Sequence, residues 1–187
     1  IVNDPVSITF RTGDDVESTL EISTNLDALF FEGDKENSTG VASVTTLINK
    51  NSKIEGLASN KLSYTFSEVN GEAVYLANDV TAIKGNDKST LGMHIFADYS
   101  FNTLYAKWAV EGDVQYTKIC DLDYAGWLYQ EADMSALPAG VDYQFMGFKL
   151  VRQSSFLSEK GEISVDAIRV NYVPSNTSVD QVLVNSN

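Results

Sequence analysis

The stretch that decides the fold is Leu104–Val110, which reads Leu-Tyr-Ala-Lys-Trp-Ala-Val. Successive side chains of a β-strand point to opposite faces of a sheet. Leu104 and Trp108 should therefore share a buried face, while Tyr105 and Lys107 point outward. This alternation is typical of an antiparallel sheet that packs one face on a core and leaves the other in solvent.

Similar runs recur along most of the chain. They are short, rich in Val, Ile, Thr, Tyr and Phe, and separated by Gly, Asn, Asp and Ser clusters at intervals of about 8 to 12 residues. The best helical signal is a single turn at Asp133–Leu137, which Pro138 ends. The pattern predicts an all-β protein, an antiparallel β-sandwich of jelly-roll type. The predicted strands are 7–11, 17–23, 26–32, 41–48, 61–68, 73–76, 91–98, 104–110, 115–121, 127–132, 143–152 and 162–173.

The chain of 187 residues is long enough for one well-buried core. We expect residues 25–173 to form the sandwich domain. Residues 1–24 are predicted to be an N-terminal β-ribbon or a linker from a preceding domain, and residues 174–187 a polar C-terminal tail. The chain begins at Ile1, as expected of a processed protein or of a piece of a longer one.

The composition argues against several classes of function. The net charge is −13 and no Lys/Arg cluster is present, so nucleic acid is not an expected partner. No apolar run approaches the roughly 20 residues of a membrane-spanning helix, so no membrane insertion is expected. Cys120 is the only cysteine and His94 the only histidine. This leaves little support for a disulfide, a zinc enzyme or a histidine-based triad.

The predicted last strand contains a carboxylate in an unexpected place. Asp166 shares strand parity with Ile168 and Val170, and would therefore point into the core. A carboxylate in an apolar interior is costly unless it is paired or binds a cation. Asp166 is therefore either a metal ligand or the sign of a β-bulge.

Four segments, in this order, resemble those of the jelly-roll, galactose-binding-like carbohydrate-binding modules attached to bacterial polysaccharide-degrading proteins. The resemblance extends over residues 26–173. It implies a non-catalytic carbohydrate-binding or carbohydrate-associated accessory module that is secreted, periplasmic or at the cell surface. The implied partners are an oligo- or polysaccharide and a catalytic domain of the same polypeptide. The four segments are Leu26–Asp34, Gly56–Phe66, Gly126–Pro138 and Gly161–Val170.

The same resemblance implies a structural calcium ion at the sandwich edge, held by Glu32 and Asp166. Glu32 shares strand parity with Phe30 and so also points toward an apolar face. Asp34 and the turn carbonyls after Gly33 could supply further oxygen ligands. The alternative is that Glu32 and Asp166 lie beyond the buried layer, solvated or bonded to backbone amides.

Sugar binding requires aromatic rings that stack on pyranose faces and polar side chains that bind hydroxyl groups. Tyr143 is a candidate because it shares parity with Lys149, and Trp127 is one that could equally serve packing. The full set of candidate ligand-binding residues is Tyr99, Phe101, Tyr105, Lys107, Trp127, Tyr129 and Tyr143.

Two other functions are compatible with the same fold. One is a structural, protein-interaction module without a sugar site. The other is a small glycan hydrolase or lyase, which would need paired carboxylates such as Glu131 with Asp133 or Asp121 with Asp123. Rings that line a groove would favour sugar binding, two carboxylates in that groove would favour hydrolysis, and a flat apolar patch would favour docking.

Overall fold

The computed structural model describes residues 21–22, 29–79, 84–85 and 89–172. Almost all of its regular structure is β-strand, with one 3₁₀ turn at Met134–Ala136. None of the helices found there is long and apolar enough to cross a membrane. The strands are β1 (Glu21–Ile22), β2 (Phe31–Thr39), β3 (Val41–Asn49), β4 (Ser59–Phe66), β5 (Gly71–Ala77), β6 (Lys84–Gly85), β7 (Ser89–Asp98), β8 (Thr103–Val110), β9 (Asp113–Asp121), β10 (Ala125–Glu131), β11 (Tyr143–Arg152) and β12 (Lys160–Tyr172).

The strands form two antiparallel sheets. Sheet A has the order β10-β7-β12-β4-β3, with β1 paired to β12. Sheet B has the order β2-β5-β11-β8-β9, with β6 paired to β11. The predicted antiparallel sandwich of jelly-roll type is confirmed.

The core lies between the two sheets and follows the predicted alternation in β4 and β8. Leu62, Tyr64 and Trp108 are buried, and the Trp108 indole N–H donates to Thr117 Oγ1 at 2.8 Å. Full burial of an apolar side chain contributes about 1.5–3 kcal/mol. Edge-to-face and tilted ring contacts join the large side chains at the centre, which are Phe31, Trp108, Tyr143, Phe145 and Phe148.

A β-bulge interrupts β12 directly after Asp166. Asp166 pairs with His94 and Arg169 pairs with Gly92, so three steps on β12 match two steps on β7. Ala167, inside the bulge, has a φ of 51°, which is uncommon for a residue with a side chain. Of the two alternatives for Asp166, the bulge is the one that the structure contains.

The bulge reverses which residues of β12 face the core. Ile163 and Val165 contact the core before it, and Ile168 and Val170 contact the core after it. Asp166 therefore lies on the outer face of sheet A, opposite the core. Asp166 and Ile168 are two positions apart and were predicted to share a face. They lie on opposite faces because the bulge inserts an extra residue between them.

A second bulge interrupts β11 between Phe145 and Gly147. Gly147 has a φ of +135°, and a Cβ atom there would lie 2.0 Å from the Tyr75 carbonyl oxygen. Before the bulge, Tyr143 and Phe145 face the core. After it, Lys149 points outward, although all three positions are odd-numbered and would share one face of a regular strand. Tyr143 is 0% exposed and its hydroxyl donates to the Pro138 carbonyl, so its prediction as a sugar ligand is wrong.

In β2, the residues that face the core differ from the prediction. Phe31 is buried and Phe30 is 40% exposed, the reverse of the predicted parity. Glu32 therefore points outward, along sheet B. Of the predicted N-terminal ribbon, only β1 is described, paired with Arg169 and Val170 of β12. The rest of 1–24, the tail 174–187 and residues 26–28 of the predicted third strand lie outside the described residues.

Candidate functional site

Asp166 ties a loop to the outer face of sheet A. This loop, residues 50–58, joins β3 to β4 and is called the β3–β4 loop. Asp166 Oδ2 accepts the backbone N–H groups of Ile54 at 2.5 Å and Glu55 at 3.1 Å, and its Oδ1 accepts that of Ala167 at 2.8 Å. Arg169 pairs with the Glu55 carboxylate beside them. Both carboxylate oxygens of Asp166 are thus used by backbone amides.

The other two predicted calcium ligands lie on a different sheet. Glu32 and Asp34 belong to β2, at the edge of sheet B, whereas Asp166 lies on the outer face of sheet A. Asp34 accepts the backbone N–H of Asn37 at 3.1 Å and its side-chain amide at 2.7 Å. Among the residues that the structure describes, no group of three or more His, Cys, Asp or Glu side chains could hold a metal ion. These three residues therefore do not fit a calcium site.

Three of the four carboxylates considered for hydrolysis, Asp121, Glu131 and Asp133, have structural partners. Asp121 accepts from Lys118 Nζ at 2.7 Å and from Thr103 Oγ1 at 2.8 Å. The hydrogen bond from Lys118, helped by the one from Thr103, lowers the pKa of Asp121 below its usual value. Glu131 accepts from the Tyr129 hydroxyl at 2.8 Å, and Asp133 caps the 3₁₀ turn as predicted. None of these contacts indicates catalysis.

Tyr99 and Phe101 lie in the loop between β7 and β8, at one end of the sandwich. They are 57% and 45% exposed, and their rings are in edge contact with centroids 4.7 Å apart. Both have positive φ, 57° and 61°. Their backbone N–H groups donate to the carbonyls of Tyr124 and Leu122, each at 3.0 Å. The pair is solvent-exposed, but it lies off the face that carries Tyr105.

Trp127 and Tyr129 lie on the outer face of sheet A. They pair with Phe96 and His94 of β7, and ring contacts of 5.6 Å and 5.4 Å join each pair. Trp127 is half-buried, and its indole N–H donates to Ser52 of the β3–β4 loop at 3.2 Å. Trp127 thus packs against Phe96 and is bonded to the β3–β4 loop. Tyr129 is 44% exposed.

The outer face of sheet B brings aromatic rings and charges together. Lys149 Nζ lies 3.8 Å from the ring centroid of Tyr116, 5.8 Å from that of Tyr105, and 3.2 Å from Glu72 Oε1. Lys107, as predicted, points to the same face and pairs in register with Tyr116. We call Glu72, Tyr105, Lys107, Tyr116 and Lys149 the sheet B patch.

The sequence analysis identified Tyr105 and Lys107 as site residues but missed Tyr116 and Glu72. Alternation within β9 could have placed Tyr116 on the outer face. Only the strand order could have placed it beside Lys149. Burial, together with the negative charges of Glu72 and Asp34, raises the pKa of Tyr116 above its usual value. Its hydroxyl therefore stays protonated at neutral pH and can donate a hydrogen bond.

The patch continues into an open depression of about 430 Å³. Glu72 belongs to both, because it binds Lys149 and also lines the depression. Arg152, which lines the depression as well, is anchored by donating to the carbonyls of Glu68 at 3.0 Å and Leu157 at 3.1 Å. Other lining residues are Thr39, Gly71, Val151 and Gln153.

This arrangement has the chemical features of a sugar site. Tyrosine rings offer flat apolar surfaces for the C–H face of a pyranose. The ammonium of Lys149, the carboxylate of Glu72 and the tyrosine hydroxyls offer donors and acceptors for sugar hydroxyls. Because Lys149 is held by Glu72 and Tyr116 before any ligand arrives, little conformational entropy is lost on binding.

Comparison with known proteins shows likeness at the level of structure. No family model and no curated protein matches the sequence. The glycoside hydrolase domain of Endo-D from Streptococcus pneumoniae R6 is similar with a TM-score of 0.55 and 13% identity, over 75% of this chain and 21% of that one. A structure from a study of promiscuous carbohydrate-binding modules of the β-sandwich superfamily is similar with a TM-score of 0.49 and 16% identity, over 82% and 61% of the chains.

A third similar structure is the family 11 carbohydrate-binding module of the cellulase Lic26A-Cel5E of Clostridium thermocellum. Its TM-score is 0.41 and its identity 14%, over 90% of this chain and 97% of that one. The chain thus spans only 61% and 21% of the other two structures. At these identities the likeness concerns the fold alone.

Proposed function

We propose that this chain, which has the fold of the carbohydrate-binding modules, is a non-catalytic module that binds an oligo- or polysaccharide at the sheet B patch. The observation that carries the proposal is the position of the Lys149 ammonium. It lies between Glu72 and the rings of Tyr105 and Tyr116. Two rings and a pre-oriented ion pair on one open face provide both stacking and hydrogen bonding.

The proposed binding mode uses the patch as a platform. A pyranose ring stacks on Tyr116 or Tyr105, and its hydroxyls bind the Glu72 carboxylate and the Lys149 ammonium. The depression beside Glu72 accommodates a further sugar unit of the same chain. A polysaccharide therefore contacts more of the protein than a monosaccharide does.

The carboxylates on this face support a binding role and argue against hydrolysis. A glycosidase needs one carboxylic acid and one carboxylate free to act on either side of the scissile bond. Here Glu72 is paired with Lys149, and Asp34 is bonded to Asn37. Both Glu72 and Asp34 thus have a structural partner in place of a substrate.

In this proposal the module serves a secreted, periplasmic or surface-located bacterial protein that acts on glycans. A binding face on sheet B leaves the outer face of sheet A free to contact a catalytic domain of the same polypeptide. The module would keep that domain close to its polymeric substrate by raising its effective concentration there.

Affinity electrophoresis against a panel of neutral and acidic polysaccharides tests the proposal, followed by calorimetry with the polymers that retard the protein. We expect retardation by at least one polymer. The double variant Tyr105→Ala/Tyr116→Ala should lose it while keeping its thermal unfolding transition. If the folded wild-type chain binds none of these polymers, the proposal is wrong.

One observation favours a second candidate function, a protein-interaction module. The outer side of sheet A and the β3–β4 loop expose several apolar side chains, and Leu57 and Leu47 are 70% and 63% exposed. Apolar patches of this kind are common at docking surfaces. Absence of glycan binding together with a stable fold would favour this candidate. Further exposed members are Ile54 and Phe96.

A further inference from the structure

Lys107 is a buried lysine on an outward-facing position. Only 7% of its surface is exposed, although the neighbouring Trp108 takes the core side of β8. Lys107 lies between its register partners, Tyr116 on β9 and Gly147 on β11. It is therefore buried within the sheet B patch, between strands β9 and β11.

The described residues provide no carboxylate for this ammonium. The ion pairs found among them are Lys61–Glu162, Lys118–Asp121, Lys149–Glu72 and Arg169–Glu55. The two other lysines on this side of sheet B, Lys118 and Lys149, are thus both paired. Of the two lysines in the patch, Lys107 is the one without a described carboxylate at ion-pair distance.

The remaining acidic groups of sheet B form no ion pair with Lys107 among the described residues. Glu32 and Asp34 lie on β2, and β5 and β11 separate that strand from β8. Three strand spacings of about 4.8 Å amount to about 14 Å. Asp34 is, in addition, already bonded to Asn37.

The ammonium is nevertheless accessible to a ligand. The side-chain polar atoms that are sealed from solvent without a partner, among the described residues, are Glu55 Oε1, His94 Nδ1, Asn102 Oδ1 and Arg169 Nε. Lys107 Nζ is not one of them, and no hydrogen bond to it is found. Its nitrogen therefore reaches solvent while its aliphatic chain is covered, as is usual for a snorkelling lysine.

An ammonium that reaches solvent on this face, with no carboxylate at ion-pair distance, is available to an anionic group of a ligand. We infer that the glycan bound at the sheet B patch is acidic, and that Lys107 binds its carboxylate or sulfate group while the tyrosines stack on its ring. This inference rests on the proposed function. It makes Lys107 the residue that determines specificity for an anionic sugar.

The test compares polymers that differ only in charge. Polygalacturonate, alginate, chondroitin sulfate and κ-carrageenan form the acidic set, and their carboxyl-reduced or desulfated forms are the matched neutral set. We expect at least one acidic polymer to bind roughly 10- to 100-fold more tightly than its neutral form, as for one charge-assisted hydrogen bond. Carboxyl reduction and desulfation distinguish uronate from sulfate recognition.

The variant Lys107→Met tests the residue itself. It should remove most of that preference, so that the affinity for the acidic polymer falls to about that for its neutral form. Its melting temperature should change little, because the covered aliphatic chain is replaced by an apolar side chain of similar length and no ion pair is lost. Lys61→Met is the matched control. It removes one positive charge from sheet A and should leave the preference intact.

The outcomes separate the two claims. If the protein binds neutral forms as tightly as acidic ones, or if Lys107→Met retains the preference, this inference is wrong while sugar binding stands. If no polymer of either set binds, the proposed function itself fails.

Discussion

Asp166 Oδ2 accepts the backbone N–H of Ile54 at 2.5 Å, across 112 positions of sequence. The bond joins the bulge of β12 to the β3–β4 loop, and the same oxygen also accepts from Glu55 at 3.1 Å. A carboxylate that accepts backbone amides in this way replaces the water that those amides would otherwise bind. Asp166 therefore stabilises the fold and has no free oxygen for a ligand.

Replacing Asp166 by Ala should lower the free energy of unfolding by about 2–3 kcal/mol, because buried N–H groups lose their acceptor. Urea denaturation measures this change. Hydrogen exchange at the amides of Ile54 and Glu55 should accelerate in the same variant. Glu162→Ala, on the exposed side of the same strand, is the control and should cost under about 1 kcal/mol. Equal effects of the two substitutions would contradict the assigned role of Asp166.

Chelation tests the calcium prediction. Since Glu32, Asp34 and Asp166 do not come together, we expect EDTA to leave the melting temperature unchanged. Added CaCl₂ should act no differently from MgCl₂ at equal ionic strength. A calcium-specific rise in the melting temperature would reveal a metal site built from other residues.

Tyr116→Ala should weaken binding of the polysaccharide found in the screen by roughly tenfold or more, because a stacked ring in a binding site contributes about 1.4 kcal/mol or more. Calorimetry provides the dissociation constant. Tyr129→Ala removes a partly exposed tyrosine from sheet A and should leave affinity unchanged. If Tyr129→Ala is the variant that loses binding, the site lies on sheet A.

Gly147→Ala should destabilise the protein by about 3 kcal/mol or prevent folding, because its Cβ would overlap the Tyr75 carbonyl. Gly112 is a matched control. It has a φ of +96° with no other atom within 4 Å of an added Cβ. Gly112→Ala should therefore cost only the backbone strain, about 1 kcal/mol. Thermal or urea unfolding of the two variants should show this difference.

The sequence was sufficient to predict the fold class because alternation in strands such as β4 and β8 is uninterrupted. It failed where an extra residue entered a strand. The bulges after Asp166 and Phe145 reversed parity, so Tyr143 was expected outside and Asp166 inside. Gly147, a glycine within an apolar strand, was a usable hint. Ala167, inside the bulge of β12, provided no such hint in the sequence.

Alternation predicts which side chains of one strand face outward, but it does not predict which strands lie side by side in the site. Tyr105 and Lys107 follow from the alternation of β8, which fixes their face. Glu72 and Tyr116 belong to the site because β5 and β9 flank the β11–β8 pair. That order is set by long-range packing and cannot be read from local periodicity. Glu72 and Tyr116 were therefore missed because their place in the site depends on strand order.

The position of β11 and β12 has a kinetic consequence. Each is the central strand of its sheet, yet they follow the other described strands in sequence. During vectorial synthesis, strands β4, β5, β7 and β8 would emerge from the ribosome before the partner that lies between them. Such high contact order slows folding and leaves unpaired edges open to aggregation. A chain stalled before residue 143 would lack the middle of both sheets.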